Sequence, residues 1–345
     1  MTQPQTEQAF IYTRSPVPTP LGLAIQLGYL EREFEDIQLR SLLESDKPSG
    51  MGSHFDHGIP NLFRQGGNTP AIWAKANGSD TKVIGISWTD EFQAIITLPN
   101  SGIRTPKDLS GRKVGIPSHQ INNDYNRAAA LRAFVVTLDQ AGLGLGDIAL
   151  VDLPDSAYIT VNEVYRPGGW GHARHGYVNE VYALVRGEVD AIYVKDVRGA
   201  EVTHLLGAHI VFDLGFHPDP YIRVSNCAPR PLTVNAQTIE EHPEVVERFL
   251  RQVIRAGLWA KKNREESLRL IGRETGWAES WLDKVLGPDF HQHLTVTLTE
   301  QSIQGLEIAK DFLLKYQFID TDFDVNAWVD PLPLERAHDN VRRIA

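Results

Sequence analysis

The chain has 345 residues, 42% of them apolar and 23% charged, enough to bury more than one hydrophobic core without staples. Its formal net charge of −10 argues against nucleic acid or an anionic membrane surface as partner, since both reward a basic face. A single cysteine, Cys227, excludes an intrachain disulfide and reads as a small buried hydrophobe.

The chain opens with "MTQPQTEQAF", which has neither a basic start nor an apolar stretch after it, and no later run approaches the ~18 apolar residues of a membrane span. As written, the protein is expected to be cytoplasmic, or periplasmic if a leader has been removed. "AFIYT" has the character of a strand, and "PTPLGLAIQLGYLERE" that of a helix with Leu23, Ile25, Leu27 and Leu30 on its apolar side. "DIQLRSLLE" predicts a second strand. "NTPAIWAKAN" predicts a short helix opened by Asn68, with Pro70 just inside its start. "TKVIGISW" and "FQAIITLP" follow as strands. At residues 99–117 the composition shifts to glycine, proline and charge, ending in the buried strand "KVGIP". A long helix, "INNDYNRAAALRAFVVTLDQAGL", and a strand, "DIALVDLP", come next. "GYVNEVYALVRGEVDAIYVKD" is a helix, a glycine and a strand, while "AHIVFDLG" and "PLTVNAQTI" are further strands. From residue 242 apolar residues recur at three- and four-residue steps, the pattern of a helical tail.

This alternation predicts an α/β fold. The expected architecture is two lobes with a ligand cleft between them. Residues 10–98 and 209–345 would form the first lobe with the C-terminal helices, and residues 99–208 the second. The two crossings would fall near "LPNSG" and "LLGAH".

Several residues carry candidate chemistry. Arg64 offers a planar fork of donors that matches carboxylate, sulfonate and sulfinate oxygens, and it precedes "QGGN", where a glycine backbone can approach a ligand. A structural salt bridge is the other role open to it. His54 and His57 form "HFDH", an i, i+3 pair with no third ligand at supporting spacing, so no metal is expected. "PSHQINND" lies between a strand and a long helix. Ser118, His119, Gln120 and Asn122 could line an anion site at that helix N-terminus, or Asn122 or Asn123 could simply cap it. "RPGGWGHARHGY" is a glycine-rich loop carrying Trp170, His172 and His175 that could close over a ligand or serve as a connector. "LGLG" at 143–146 follows a helix and not a strand, so it is no dinucleotide signature, and no cofactor is expected.

The phrases "SGIRTPKDLSGRKVGIP" and "VNEVYALVRGEVDAIYVKD" resemble the two-lobed solute-binding proteins of nitrate, sulfonate and taurine import. The resemblance implies the type II periplasmic-binding fold, which also hosts enzymes. "YTRSPVP", "HFDHGIPNLFRQGG", "HIVFDLG", "AGLWAKKN" and "GPDFHQHL" resemble the 2′-hydroxybiphenyl-2-sulfinate desulfinases. Those enzymes cleave the carbon–sulfur bond of an aromatic sulfinate, with a cysteine supported by a histidine and an arginine. The resemblance places that histidine on His54, the arginine on Arg64 and a sulfinate-facing glycine on Gly67. The cysteine falls on Ser15. A serine there can donate a hydrogen bond to an oxyanion, act as a nucleophile if His54 serves as its base, or merely shape the turn. Two functions follow. One is a binding protein for a small organosulfur anion, with an importer permease as partner. The other is a cytoplasmic desulfinase-like hydrolase using Ser15, His54 and Arg64.

Overall fold

The computed structural model describes residues 9–44, 52–119, 121–154 and 177–344. These residues form a mixed α/β structure with two five-stranded sheets. The strands are β1 (Phe10–Tyr12), β2 (Leu39–Ser41), β3 (Leu62–Gln65), β4 (Thr81–Ser87), β5 (Gln93–Thr97), β6 (Lys113–Ser118), β7 (Ala149–Pro154), β8 (Ala191–Lys195), β9 (His209–Asp213) and β10 (Arg230–Asn235). The first sheet runs β2-β1-β3-β10-β4 and the second β7-β6-β8-β5-β9. Within the first, β1 is parallel to β2 and β3, and β10 is antiparallel to β3 and β4. Within the second, β6 is parallel to β7 and β8, and β5 is antiparallel to β8 and β9. Each sheet thus has one reversed strand, the one by which the chain enters it from the other sheet.

β5 ("QAIIT") and β8 ("AIYVK") are buried at every position, as expected for strands covered on both faces. The helix Tyr125–Asp139 packs Ala129, Ala130, Ala133 and Phe134 into the core of the second sheet, where the alanines allow close approach. The helix Pro243–Ala260 does the same for the first. Its Val246, Phe249, Leu250 and Val253 recur on one face and meet Phe63, Ile84 and Leu232. The Phe63 and Phe249 rings stack with centroids 4.1 Å apart.

The pairings place both crossings differently from the sequence expectation. β5 and β9 belong to the second sheet, where Ile95 lies opposite both Tyr193 and Phe212. The chain therefore leaves the first sheet through Trp88–Phe92 and returns through Leu214–Pro229, outside the expected boundaries at 98/99 and 208/209. The glycine–proline shift near residue 100 marks a turn after β5 and not a passage between sheets. The two crossings touch closely. A Cβ at Gly215 would stand 2.2 Å from the Glu91 carbonyl oxygen, so only glycine fits there. Arg230, at the start of β10, reaches back to the first crossing. Its Nη2 donates to Glu91 Oε2 at 2.8 Å and its Nη1 to the Thr89 carbonyl at 3.0 Å, with both charged side chains fully buried. No helix of the described residues is long and apolar enough to cross a membrane.

Candidate functional site

β1 ends at Tyr12, and the chain turns through Thr13–Pro18 into the helix Pro20–Gln26. Thr19 caps that helix, its Oγ1 accepting from Gly22 N at 2.9 Å, and Pro20 supplies the fixed φ of a first helical residue. Arg14 is drawn to the helix Arg264–Thr275, where its guanidinium pairs with Glu274 and Gln26 Nε2 donates to the same carboxylate at 2.6 Å. Ser15, one residue on, is buried.

β3 delivers Arg64, only 1% exposed, and the turn Gly66–Gly67 follows it. Arg64 Nε donates to the His54 carbonyl at 2.6 Å and Nη2 to the Gly67 carbonyl at 3.0 Å. The guanidinium thereby locks the short helix Ser53–Asp56, which carries His54, to the glycine turn. A Cβ built on Gly66 would lie 3.0 Å from Ser15 Oγ and 3.6 Å from both Arg64 Nη2 and His54 Cε1. Three candidates ten or more residues apart in sequence therefore converge on one point, and a side chain there would crowd Ser15 Oγ.

The electrostatics of that point are one-sided. Burial, then the neighbouring Arg64 charge, then His57 hold His54 well below the ordinary histidine range, so its ring is uncharged. Burial and Arg64 push His57 down to about 3, although its Nε2 donates to the Leu62 carbonyl at 3.0 Å. A permanent cation beside neutral donors suits a singly charged oxyanion.

The two histidines also set a pH dependence. Each binds a proton more weakly folded than unfolded, so their contribution is full above the ordinary value of 6.5 and is lost as the pH falls below it. For His57 the window runs from 6.5 down to about 3. His57 should cost about 1.4 kcal/mol per pH unit in that window, or roughly 2 kcal/mol between pH 6.5 and 5, and His54 adds a loss of the same sign. Urea midpoints at pH 7 and pH 5 measure this loss; equal midpoints would show that the rings are not buried neutral.

Gly67 needs its missing side chain for another reason. A Cβ there would lie 2.6 Å from Asn226 Oδ1. Asn226 arrives on the return crossing and accepts at that oxygen from Thr69 N at 3.1 Å. Asn68 N donates to the Asn226 carbonyl at 2.7 Å, and Asn68 Nδ2 donates to the carbonyls of Ser225 at 2.6 Å and Pro229 at 2.9 Å. Asn68 and Asn226 thus hold the return crossing against the glycine turn. The sequence flagged Asn68 only as a helix start and did not flag Asn226. The one available signal was an asparagine directly after two glycines.

The second anion candidate is organised differently from expectation. Asp124, not Asn122 or Asn123, caps the helix Tyr125–Asp139. Its carboxylate accepts from His119 N at 2.8 Å and Arg127 N at 3.0 Å and faces His119 Nδ1 at 3.0 Å. Burial raises its pKa, but the hydrogen bonds from His119 and Arg127 outweigh that and leave it lowered. A carboxylate therefore sits where an anion was expected. Ser118 is half-buried at the end of β6. The segment still approaches the Ser15 site, because Tyr125 stacks on Phe55 with centroids 6.1 Å apart, and Phe55 meets the His54 ring edge-on at 5.2 Å. Gln120, Trp170, His172 and His175 lie outside the described residues. Asp56 Oδ1 accepts from Gly58 N at 2.8 Å. Cys227 is buried as expected, but not as an apolar filler. Lys195 Nζ donates to its Sγ at 3.1 Å.

The NMT1/THI5-like family model matches residues 67–155. The 2′-hydroxybiphenyl-2-sulfinate desulfinase of Rhodococcus erythropolis is 26% identical over 93% of this chain and 91% of its own. The chain is similar to this desulfinase over nearly its whole length. The structure of a cysteine-to-serine mutant of DszB in complex with biphenyl-2-sulfinic acid superposes with a TM-score of 0.75. It is 24% identical and covers 96% of this chain and 99% of that one. The periplasmic aliphatic sulphonate binding protein SsuA of Escherichia coli superposes with a TM-score of 0.65. It is 17% identical and covers 94% of this chain and 93% of that one. The two superpositions show a shared fold, the type II periplasmic-binding-protein fold, common to sulfonate binders and the desulfinase.

Proposed function

We propose that this protein binds a small organosulfur anion, a sulfonate or a sulfinate, with its charged head at the point defined by Ser15, His54, Arg64 and the Gly66–Gly67 turn. The convergence of Ser15 Oγ, Arg64 Nη2 and His54 on Gly66 carries this reading. It supplies one fixed positive charge, a hydroxyl donor and a neutral imidazole within 3.6 Å of one point, which is the complement of a tetrahedral or pyramidal sulfur oxyanion. A cysteine-to-serine mutant of DszB is in complex with biphenyl-2-sulfinic acid, which supports sulfinate binding here where Ser15 stands in that cysteine's place, as the resemblance implies. As an importer component, the protein would take an ABC permease as its partner. The uncharged His54 beside Ser15 favours a second reading, a desulfinase-like hydrolase in which His54 is the base for a Ser15 nucleophile.

The two readings separate on sulfite release. Calorimetry with biphenyl-2-sulfinate and with alkanesulfonates should show binding to the wild type, without sulfite. Serine supplies neither a ready proton nor a thiolate near neutral pH. Ser15→Cys restores a thiol between His54 and Arg64 and should release measurable sulfite from the arylsulfinate, and His54→Ala in that background should reduce it. Sulfite from the wild type as fast as from Ser15→Cys would establish the hydrolase. Absence of binding to any of these anions would overturn both readings.

A further inference from the structure

The junction of the two sheets holds buried titratable groups that the oxyanion site does not use. Lys195 ends β8 in the second sheet. Its Nζ lies 3.1 Å from Cys227 Sγ, 3.7 Å from Glu91 Oε1 and 3.9 Å from Asp196 Oδ2. Cys227 lies on the return crossing three residues before β10, and Glu91 on the outgoing one. Cys227 is 3% exposed and Lys195 9%. The lysine backbone is fixed as well, its N donating to Tyr177 Oη at 2.8 Å. The amine and the thiol are therefore held in contact by the end of β8 and the return crossing, 32 residues apart in the chain.

We propose that Cys227 and Lys195 form a modification site, in which a peroxide oxidises the thiol and the lysine amine then closes a sulfur–nitrogen cross-link between the second sheet and the return crossing. In the first step the thiol sulfur loses two electrons to hydrogen peroxide, giving a sulfenic acid and water. In the second, the Lys195 ammonium gives one proton to a neighbouring carboxylate, the freed Nζ lone pair attacks Sγ, the S–N bond forms and the S–O bond breaks. The hydroxide leaves as water with a second proton from the nitrogen. The condensation needs no further oxidant. Cys227 is the only cysteine of the chain, so no second thiol within it competes for the sulfenic acid.

The surroundings fit both steps. Burial raises the Cys227 thiol, while Lys195 pulls it back down, so oxidation is slow at neutral pH and quickens as the pH rises. Burial pulls the Lys195 ammonium down, but Cys227, Glu91 and Asp196 outweigh it and hold it well above the ordinary lysine range, so the second step also quickens as the pH rises. Burial pushes Asp196 up to about 6, against the pull of Lys195, which makes it the stronger base of an otherwise weak pair of nearby carboxylates. The cross-link would act at the oxyanion site without touching the anion. It ties Cys227, next to the Asn226 that packs on Gly67, to the end of β8 in the second sheet.

The test uses the whole wild-type protein treated with hydrogen peroxide, then trypsin and mass spectrometry. The expected product is one linked species containing Lys195 and Cys227, two hydrogens lighter than the sum of its parts, with cleavage after Lys195 lost. Dithiothreitol should return both residues to their original masses. Lys195→Arg keeps the charge but cannot form this amine bond, and its digest should contain no linked species. Recovery of Cys227 as sulfinic acid, sulfonic acid or unchanged thiol, with normal cleavage after Lys195, would overturn the proposal. That wild-type result decides the matter even if the arginine variant does not fold, and it does not depend on which anion the protein binds.

Discussion

Glu91→Gln should lower the stability of the folded chain by about 3–5 kcal/mol, the range for removing one partner of a buried ion pair. Glu91 and Arg230 are both 0% exposed, and their 2.8 Å contact joins the outgoing crossing to the start of β10. Glutamine preserves the shape, so packing is not the cause of the loss. The guanidinium is left without its counter-charge in a place water does not reach, with the Lys195 ammonium on the far side of the same carboxylate. The partner test is the pair Glu91→Gln with Arg230→Met, which removes both charges and should recover much of the stability. Chemical denaturation measures both. A loss below about 1 kcal/mol for Glu91→Gln, the size of an exposed pair, would show that the junction is hydrated and not dry.

Arg64→Ala should weaken binding of biphenyl-2-sulfinate or an alkanesulfonate by roughly 2–5 kcal/mol, the cost of truncating one side of a buried charged contact. Two effects add. The head group loses the only fixed positive charge at the Gly66 point among the groups that converge there. The carbonyls of His54 and Gly67 also lose the donors that hold the short histidine helix to the glycine turn. Arg64→Lys should not restore full affinity, because a single ammonium cannot hold both carbonyls and an oxyanion with the geometry of a planar fork. Calorimetry on the three proteins checks this, with denaturation midpoints confirming that each is folded. Equal affinity in the wild type and Arg64→Ala would remove Arg64 from the head site.

Much of the secondary structure is set by short-range chemistry and can be read without coordinates. The continuous apolar run of "AIYVK" and the alanine-rich stretch of residues 125–139 became a strand and a helix because burial and propensity act on neighbouring residues. The motifs around Ser15, His54, Arg64 and Gly67 were likewise visible as a resemblance before any distance was known. Their meeting at Gly66 was not, because nothing local to "TRSPV" encodes its contact with "RQGG" some fifty residues on.

Long-range pairing was decided only by the tertiary structure. "FQAIITLP" has the composition of a strand in either sheet. Its backbone offers the same hydrogen bonds to any edge, and packing against β8 and β9 made the choice. The same holds for the cap of the helix Tyr125–Asp139, expected at Asn122 or Asn123, where the backbone geometry selected Asp124 instead. The charge states of His54 and His57 follow from burial beside Arg64, a property of the folded volume and not of the "HFDH" spacing. Asn226 reaches Thr69 across 157 residues, and Lys195 reaches Cys227 across 32. The sequence by itself determined which segments could be strands, helices and oxyanion donors, because those depend on neighbours a few residues away. Only the tertiary structure decided which of them meet, because contacts at that range are fixed by the packing of two sheets joined through two crossings.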